Sequence, residues 1–195
     1  MKDKYQIILD LIKQQFVSIV WAHKVQEKQA DIYSERFSRL ETVNIITAAI
    51  TSCGIVAIFF DSDNVVCKVA TAITSFLTLS ISAYNKSFGP SNKAKRNKDA
   101  ANKFIVIRNR LVLLIADCHL QERSVNDIKK DFDELVYEAN ELLSSAPPTT
   151  NRAVKRASKA LSSNEYTFSN SEIDKFLVNS LKGDIRKEKR EKKTN

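Results

Sequence analysis

Thr42-Val-Asn-Ile-Ile-Thr-Ala-Ala-Ile-Thr-Ser-Cys-Gly-Ile-Val-Ala-Ile-Phe-Phe60 runs for 19 residues without a charged side chain. Wound as an α-helix it is about 28 Å long, close to the roughly 30 Å hydrocarbon core of a bilayer. A second stretch, Asn64 to Asn85, follows after Asp61-Ser-Asp63 and carries one charge, Lys68. Lys68 sits about one turn inside, where a long side chain can reach back to the interface. A buried hairpin in a soluble bundle would share this composition, and the second stretch is rich in Ser and Thr. Two adjacent stretches of membrane length joined by a short link favour a transmembrane hairpin. About 40 charged and amphipathic residues precede the first, so a cleavable signal peptide is not expected.

Basic residues set the expected orientation. Of 31 Lys and Arg, 7 lie in residues 1–41, 23 in residues 86–195, and Lys68 between them. Arg36 and Arg39 precede the first span, and Lys86, Lys93, Lys95, Arg96 and Lys98 follow the second. The positive-inside rule then places both termini in the cytoplasm and the 61–64 turn outside. The bilayer is thus a partner, with these residues facing anionic headgroups.

Outside the spans the chain reads as helix throughout. Residues 1–41 form an N-terminal cytoplasmic helix without Gly or Pro, able to run on into the first span. The spans themselves are 42–60 and 65–85. Gly89-Pro90 marks a break, after which 86–145 forms a cytoplasmic helical hairpin. Its second helix, 124–144, has apolar residues at spacings of three and four and a cap at Ser124 with Asp127. Residues 146–182 hold short helices, one at 151–163 and a capped one near 169–177, and 183–195 is a charged tail. The fold class is therefore an all-α membrane protein, a two-helix transmembrane hairpin plus a cytoplasmic helical bundle.

Composition excludes several other classes. The chain has 195 residues, a net charge of +8, and 3 Gly, 3 Pro and 3 Cys. Sandwiches and barrels need far more turn residues. No two glycines fall close enough for a phosphate-cradling loop. Three Cys and two His, all scattered, give no zinc site, so no metal and no cofactor is expected. No catalytic arrangement stands out. His23 with Glu27 and Asp31 reads as a solvated helix face, and Trp21, the only tryptophan, as a core or interhelix anchor. Nucleic acid is not an expected partner, because no aromatics interleave with the basic residues.

Polar residues within the spans carry the sharper pattern. At 100° per residue, Lys68, Thr71, Ser75, Thr78, Ser82 and Asn85 share one face of the second span, with Thr74 at its edge and Ser80 opposite. Asn44, Thr47, Thr51 and Gly54 share a face about 80° wide on the first. Such stripes either pack helices through small residues or, once hairpins assemble, line an aqueous path. The candidate pore-lining residues are Lys68, Thr71, Ser75, Thr78, Ser82, Asn44, Thr47 and Thr51.

A series of short segments surrounds the hairpin. They are Trp21-Ala-His-Lys24, Glu27-Lys-Gln-Ala-Asp-Ile-Tyr33, Arg36, Lys98-Asp-Ala-Ala-Asn102, Ile107-Arg108, Ala146-Pro147, Ala157-Ser-Lys-Ala-Leu161, Glu165-Tyr-Thr-Phe-Ser169 and Glu172-Ile-Asp-Lys-Phe-Leu177. In this order and spacing, from about residue 10 to 181, the chain resembles the SLATT domain. That is the two-transmembrane effector domain associated with SMODS nucleotidyltransferases and SLOG sensors. The matching positions Trp21, Lys24, Lys28, Asp31, Tyr33, Arg36, Asn102 and Arg108 form a candidate cytoplasmic motif. The resemblance implies a bacterial effector that oligomerises and perforates the inner membrane when a separate nucleotide messenger or sensor protein signals phage infection. It implies no catalytic residues. A membrane-anchored scaffold, whose bundle recruits a partner protein, is the alternative.

Overall fold

The computed structural model describes residues 2–60 and 63–163, with side chains from Lys4 onward. Among these residues there are five helices, α1 (Lys2–Phe60), α2 (Val65–Phe88), α3 (Pro90–Leu120), α4 (Val125–Ser145) and α5 (Asn151–Ser162), and no strand. The capped helix expected near 169–177 and the charged tail lie outside the described residues. One compact unit comprises Met1–Ala157, and a second begins at Ser158.

α1 is a single helix of 59 residues, about 88 Å at 1.5 Å per residue. No boundary appears at residue 41. No Gly or Pro occurs before Gly54, so nothing in the backbone chemistry interrupts the hydrogen-bond ladder where the polar half passes into the apolar half. The turn after it ends at Asn64, whose side chain accepts from the Cys67 amide at 3.0 Å and caps α2. α2 runs three residues beyond Asn85 and stops at Gly89, which takes the left-handed conformation (φ 49°) and donates its N–H to the Asn85 carbonyl. Pro90 opens α3 directly. A positive φ followed by a residue without an N–H turns the chain in one step.

α1 and α2 lie side by side as a hairpin, and no more than 6% of either apolar window is buried. Ile45, Ile46, Val56, Phe59, Val66, Phe76 and Leu79 all point outward. A soluble core helix of this composition would be covered by protein. This surface instead matches hydrocarbon along a bilayer's width, and the two helices are the membrane-spanning elements.

The rest of the chain builds a bundle around the first half of α1. Ile8, Leu9, Ile12 and Ile19 of α1 meet Phe104, Ile107, Leu111, Leu114 and Cys118 of α3, and Ile128, Phe132, Leu135 and Ala139 of α4. Phe104, Ile12, Leu111 and Ile128 are completely enclosed; full burial of such side chains contributes about 1.5–3 kcal/mol each. The expected cap forms: Ser124 Oγ accepts from the Asp127 amide at 3.2 Å. Between α3 and α4, Gln121 takes the left-handed conformation (φ 57°) with its N–H on Asp117 O. Arg123 bridges Asp117 and Asp131 across this turn at 2.8 and 2.7 Å. These two carboxylates raise the guanidinium's pKa. The Tyr5 hydroxyl donates to the Arg123 carbonyl at 2.8 Å, tying the start of α1 to the same turn.

Two buried glutamines of α1 fasten the connection into α5. Gln26 Nε2 donates to Pro147 O at 2.9 Å, and Gln29 Oε1 accepts from both the amide and the hydroxyl of Thr150 at 2.8 Å. Ala153 and Ala157 then lie fully buried against Val25; with no side chain beyond Cβ, they let α5 approach closely. Glu35 accepts from both terminal nitrogens of Arg156 at 2.7 and 3.0 Å. Each of these pairs is separated by 121 residues, so α5 follows the direction of α1.

Candidate functional site

The polar stripes of the two spans face each other. Asn85 Nδ2 donates to Glu41 Oε1 at 2.7 Å, and Ser82 Oγ to Asn44 Oδ1 at 3.4 Å. Thr78 Oγ1 donates to Thr47 Oγ1, and Thr51 Oγ1 to Thr74 Oγ1, both at 2.8 Å. Cys67 Sγ lies 3.7 Å from Gly54 O. From Glu41–Asn85 to Thr51–Thr74 each rung advances α1 by about one turn and moves α2 back by one, an antiparallel ladder of polar side chains, and the Gly54–Cys67 contact lies two turns further back on α2. Most of the hydroxyls also lie within hydrogen-bond reach of the carbonyl one turn earlier in their own helix.

Gly54 sets how closely the helices meet. A Cβ at this position would overlap Thr71 Oγ1 and stand 3.1 Å from Thr71 Cβ. The contact line on α2 is therefore Cys67, Thr71, Thr74 and Thr78. Thr74, expected at the stripe's edge, lies inside the seam. Of the eight candidate pore-lining residues, Asn44, Thr47, Thr51, Thr71 and Thr78 belong to the seam. Lys68 and Ser75 lie on its exposed flank, and Ser82, also exposed, reaches Asn44 from the seam's edge. The centre of the contact falls to one side of the stripe, because Gly54 admits Thr71 rather than Ser75.

Below the hairpin a second constellation gathers part of the candidate motif. His23, Lys24, Val25 and Gln26 are buried in succession, so α1 is covered on every side there. Lys24 Nζ binds Glu27 Oε2 at 2.9 Å, and Lys98 reaches the other oxygen at 3.6 Å. Lys28 stands 3.9 Å from Asp31. Burial holds the His23 imidazole below its usual pKa; Glu27 opposes this, while Arg108, Lys24 and Lys98 add to it. For Glu27, burial pushes the carboxyl up. The hydrogen bond from Lys24 and the charges of Lys24, His23 and Lys98 pull it down further, and the net shift is downward.

The expectation of a solvated face at His23 is thus overturned. α3 covers that face, and a helix 75 or more residues away leaves no trace in the local pattern of α1. Trp21 is 40% exposed, which removes the core half of its expected role. Asn102 is exposed, Tyr33 is half-buried, and half-buried Arg108 donates to Asn109. Arg36 stands over the Tyr84 ring, 5.1 Å from its centroid, and Tyr84 stacks on Phe88 at 4.7 Å. The motif therefore divides between the His23–Glu27 cluster, the base of the hairpin and the bundle surface. Among the described residues no group of His, Cys, Asp and Glu could hold a metal ion.

Sequence reasoning missed Gln26, Gln29, Glu35, Glu41 and Arg156. Buried glutamines one turn apart have no local signature, since their partners are 121 residues away. Glu41 does carry a signal, being the last charge before the first span.

No curated protein and no solved structure matches the chain. A family model does, over residues 8–172. This range takes in the hairpin, the bundle and α5. A hairpin of two apolar helices held by a polar seam, on a bundle organised around the same long helix, is what a two-transmembrane domain requires, and the chain belongs to the SMODS and SLOG-associating 2TM effector domain family 4.

Proposed function

We propose that this protein is a bacterial anti-phage effector whose hairpins assemble in the inner membrane and perforate it when a separate nucleotide messenger or sensor protein signals infection. Both termini are cytoplasmic in this reading, following the excess of Lys and Arg beside the bundle ends of the spans. The observation that carries it is the exposed flank of α2. Lys68 and Ser75, with Ser82 at the seam's edge, recur at spacings of seven on a helix otherwise suited to hydrocarbon, and all three are exposed. Polar groups at membrane depth turn toward protein or water. Neighbouring hairpins supply both if this flank faces a shared path, with the threonine ladder holding each hairpin together behind it.

The test replaces Ser75 and Ser82 together by Leu. The flank then matches hydrocarbon and the path dewets, while insertion survives a more apolar span. Expressed with its signalling partners, the variant should remain in the membrane fraction but no longer cause growth arrest or dye entry. Ser80→Leu, on the opposite face, should leave both intact. If the Leu pair stays as active as the parent, the flank does not conduct.

One observation favours the scaffold alternative. The seam pairs Thr47 with Thr78 and Thr51 with Thr74 inside one hairpin, so those residues need no water. A tether would use the seam alone, and the Leu pair, which removes only the Ser82–Asn44 bond from it, would then leave activity unchanged.

A further inference from the structure

We infer that α1 and the start of α5 form a binding groove for a phosphate-bearing ligand bordering the lipid headgroups. The groove has a volume of about 380 Å³ and is lined by Ile32, Glu35, Arg36, Arg39, Leu40 and Arg152. α1 brings Arg36 and Arg39, and α5 brings Arg152. They converge because Gln29 holds Thr150 and Glu35 holds Arg156.

Three guanidinium groups meet here against a single carboxylate. The one carboxylate in the lining, Glu35, is already taken by both nitrogens of Arg156. Arg156's hydrogen bond holds the Glu35 carboxyl below its usual range, and the charges of Arg156, Arg39 and Arg152 add to this. Among the described residues Arg39 and Arg152 make no ion pair. Arg36 stands over the Tyr84 ring and is exposed to solvent. A planar fork with free N–H groups matches phosphate oxygens two at a time. Ile32 and Leu40 give the groove an apolar wall for the remainder of a ligand.

Depth narrows the source. Arg39 and Arg36 precede Thr42 by three and six residues, about 4.5 and 9 Å along the helix. The headgroup layer on each side of the hydrocarbon is about 5–7 Å thick. Arg39 therefore lies within that layer, with Arg36 and Arg152 on its aqueous side, so the groove adjoins the lipid phosphates and also opens to soluble phosphates from the same side. A phosphate seated here joins α5 to the helix that enters the membrane. The inference rests on residues 42–60 being a span, and not on the hairpins forming a pore.

The full chain in phosphatidylcholine nanodiscs tests it, with two probes. Phosphatidylglycerol is added and the retained lipid counted by native mass spectrometry, and separately inorganic pyrophosphate is added and the melting temperature followed. The triple variant Arg36→Gln, Arg39→Gln, Arg152→Gln is compared with a charge-matched control, Lys95→Gln, Lys103→Gln, Lys130→Gln. Each charge-assisted contact removed should weaken binding about tenfold. Retention of phosphatidylglycerol by parent and control, but not by the triple variant, supports a lipid ligand. Stabilisation of parent and control by pyrophosphate, lost in the triple variant, supports a soluble one. Equal behaviour of the triple variant and the control with both probes overturns the groove. All three groove arginines are exposed, so the probe-free melting temperature should not move; if it falls, Arg152→Gln alone replaces the triple variant.

Discussion

Gly54→Ala is the smallest change that tests the hairpin seam. The added methyl would overlap Thr71 Oγ1 and come within 3.1 Å of Thr71 Cβ. Thr71 cannot simply rotate away. It is β-branched, so turning χ1 exchanges the hydroxyl for Cγ2, and the hydroxyl leaves its 2.8 Å bond to Cys67 O. The helices must separate locally, at about 1–3 kcal/mol for overpacking a close contact. Ala is a better helix former than Gly by about 1 kcal/mol, which offsets part of this. A net loss of about 0–2 kcal/mol is hard to interpret alone, so the informative quantity is the coupling with Thr71→Ala. Removing the Thr71 side chain opens the space that the new methyl needs, and the double variant should recover the Gly54→Ala loss. SDS-titration unfolding of the four proteins in mixed micelles gives the cycle, with an expected coupling of about 1 kcal/mol or more. Additive single effects would refute the argument, because they would mean that Gly54 and Thr71 do not touch.

Two further outcomes follow from the same structure. In a cysteine-free background, a thiol at Asp63 should react with an impermeant reagent from outside intact cells while one at Ser124 does not; the reverse labelling would sink the proposed orientation. His23 should make the bundle acid-sensitive: its folded pKa lies below the ordinary 6.5, so the unfolded chain binds the proton first and stability falls as pH drops from 6.5 through the folded value. Glu27, also lowered from 4.5, adds a loss of the same sign at lower pH. The melting temperature of the parent in detergent should fall between pH 7 and 5, and His23→Asn should flatten that slope; an unchanged slope would show that His23 is not the group responsible.

The fold class was legible because its signals are local. A charge gap of 19 residues, a Gly-Pro pair and a Ser-x-x-Asp cap each mean the same thing in most contexts, and the helices begin and end close to them. The site was legible in part. Helical periodicity identified which residues share the polar stripe, but where the contact line falls within it depends on one glycine on the other helix. His23 failed for the same reason. Its face reads as solvated along α1 because the elements that bury it lie 70 or more residues further on. Gln26 and Gln29 were invisible, since a buried amide is distinguished from a solvated one only by a partner far along the chain.

What joins the bundle to the spans is the continuity of α1. A helix with no Gly or Pro before Gly54 resists bending, so a rotation imposed at Gln26 or Glu35 is carried into Thr47 and Thr51 with little loss. α2 is held differently. Gly89 and Pro90 free it from the direction of α3, and Asn85 on Glu41 and Tyr84 under Arg36 fasten its base to α1 instead. The second span therefore follows the first rather than the bundle. A ligand bound where α5 meets α1 would therefore act on the one helix to which both the bundle core and the polar seam are attached.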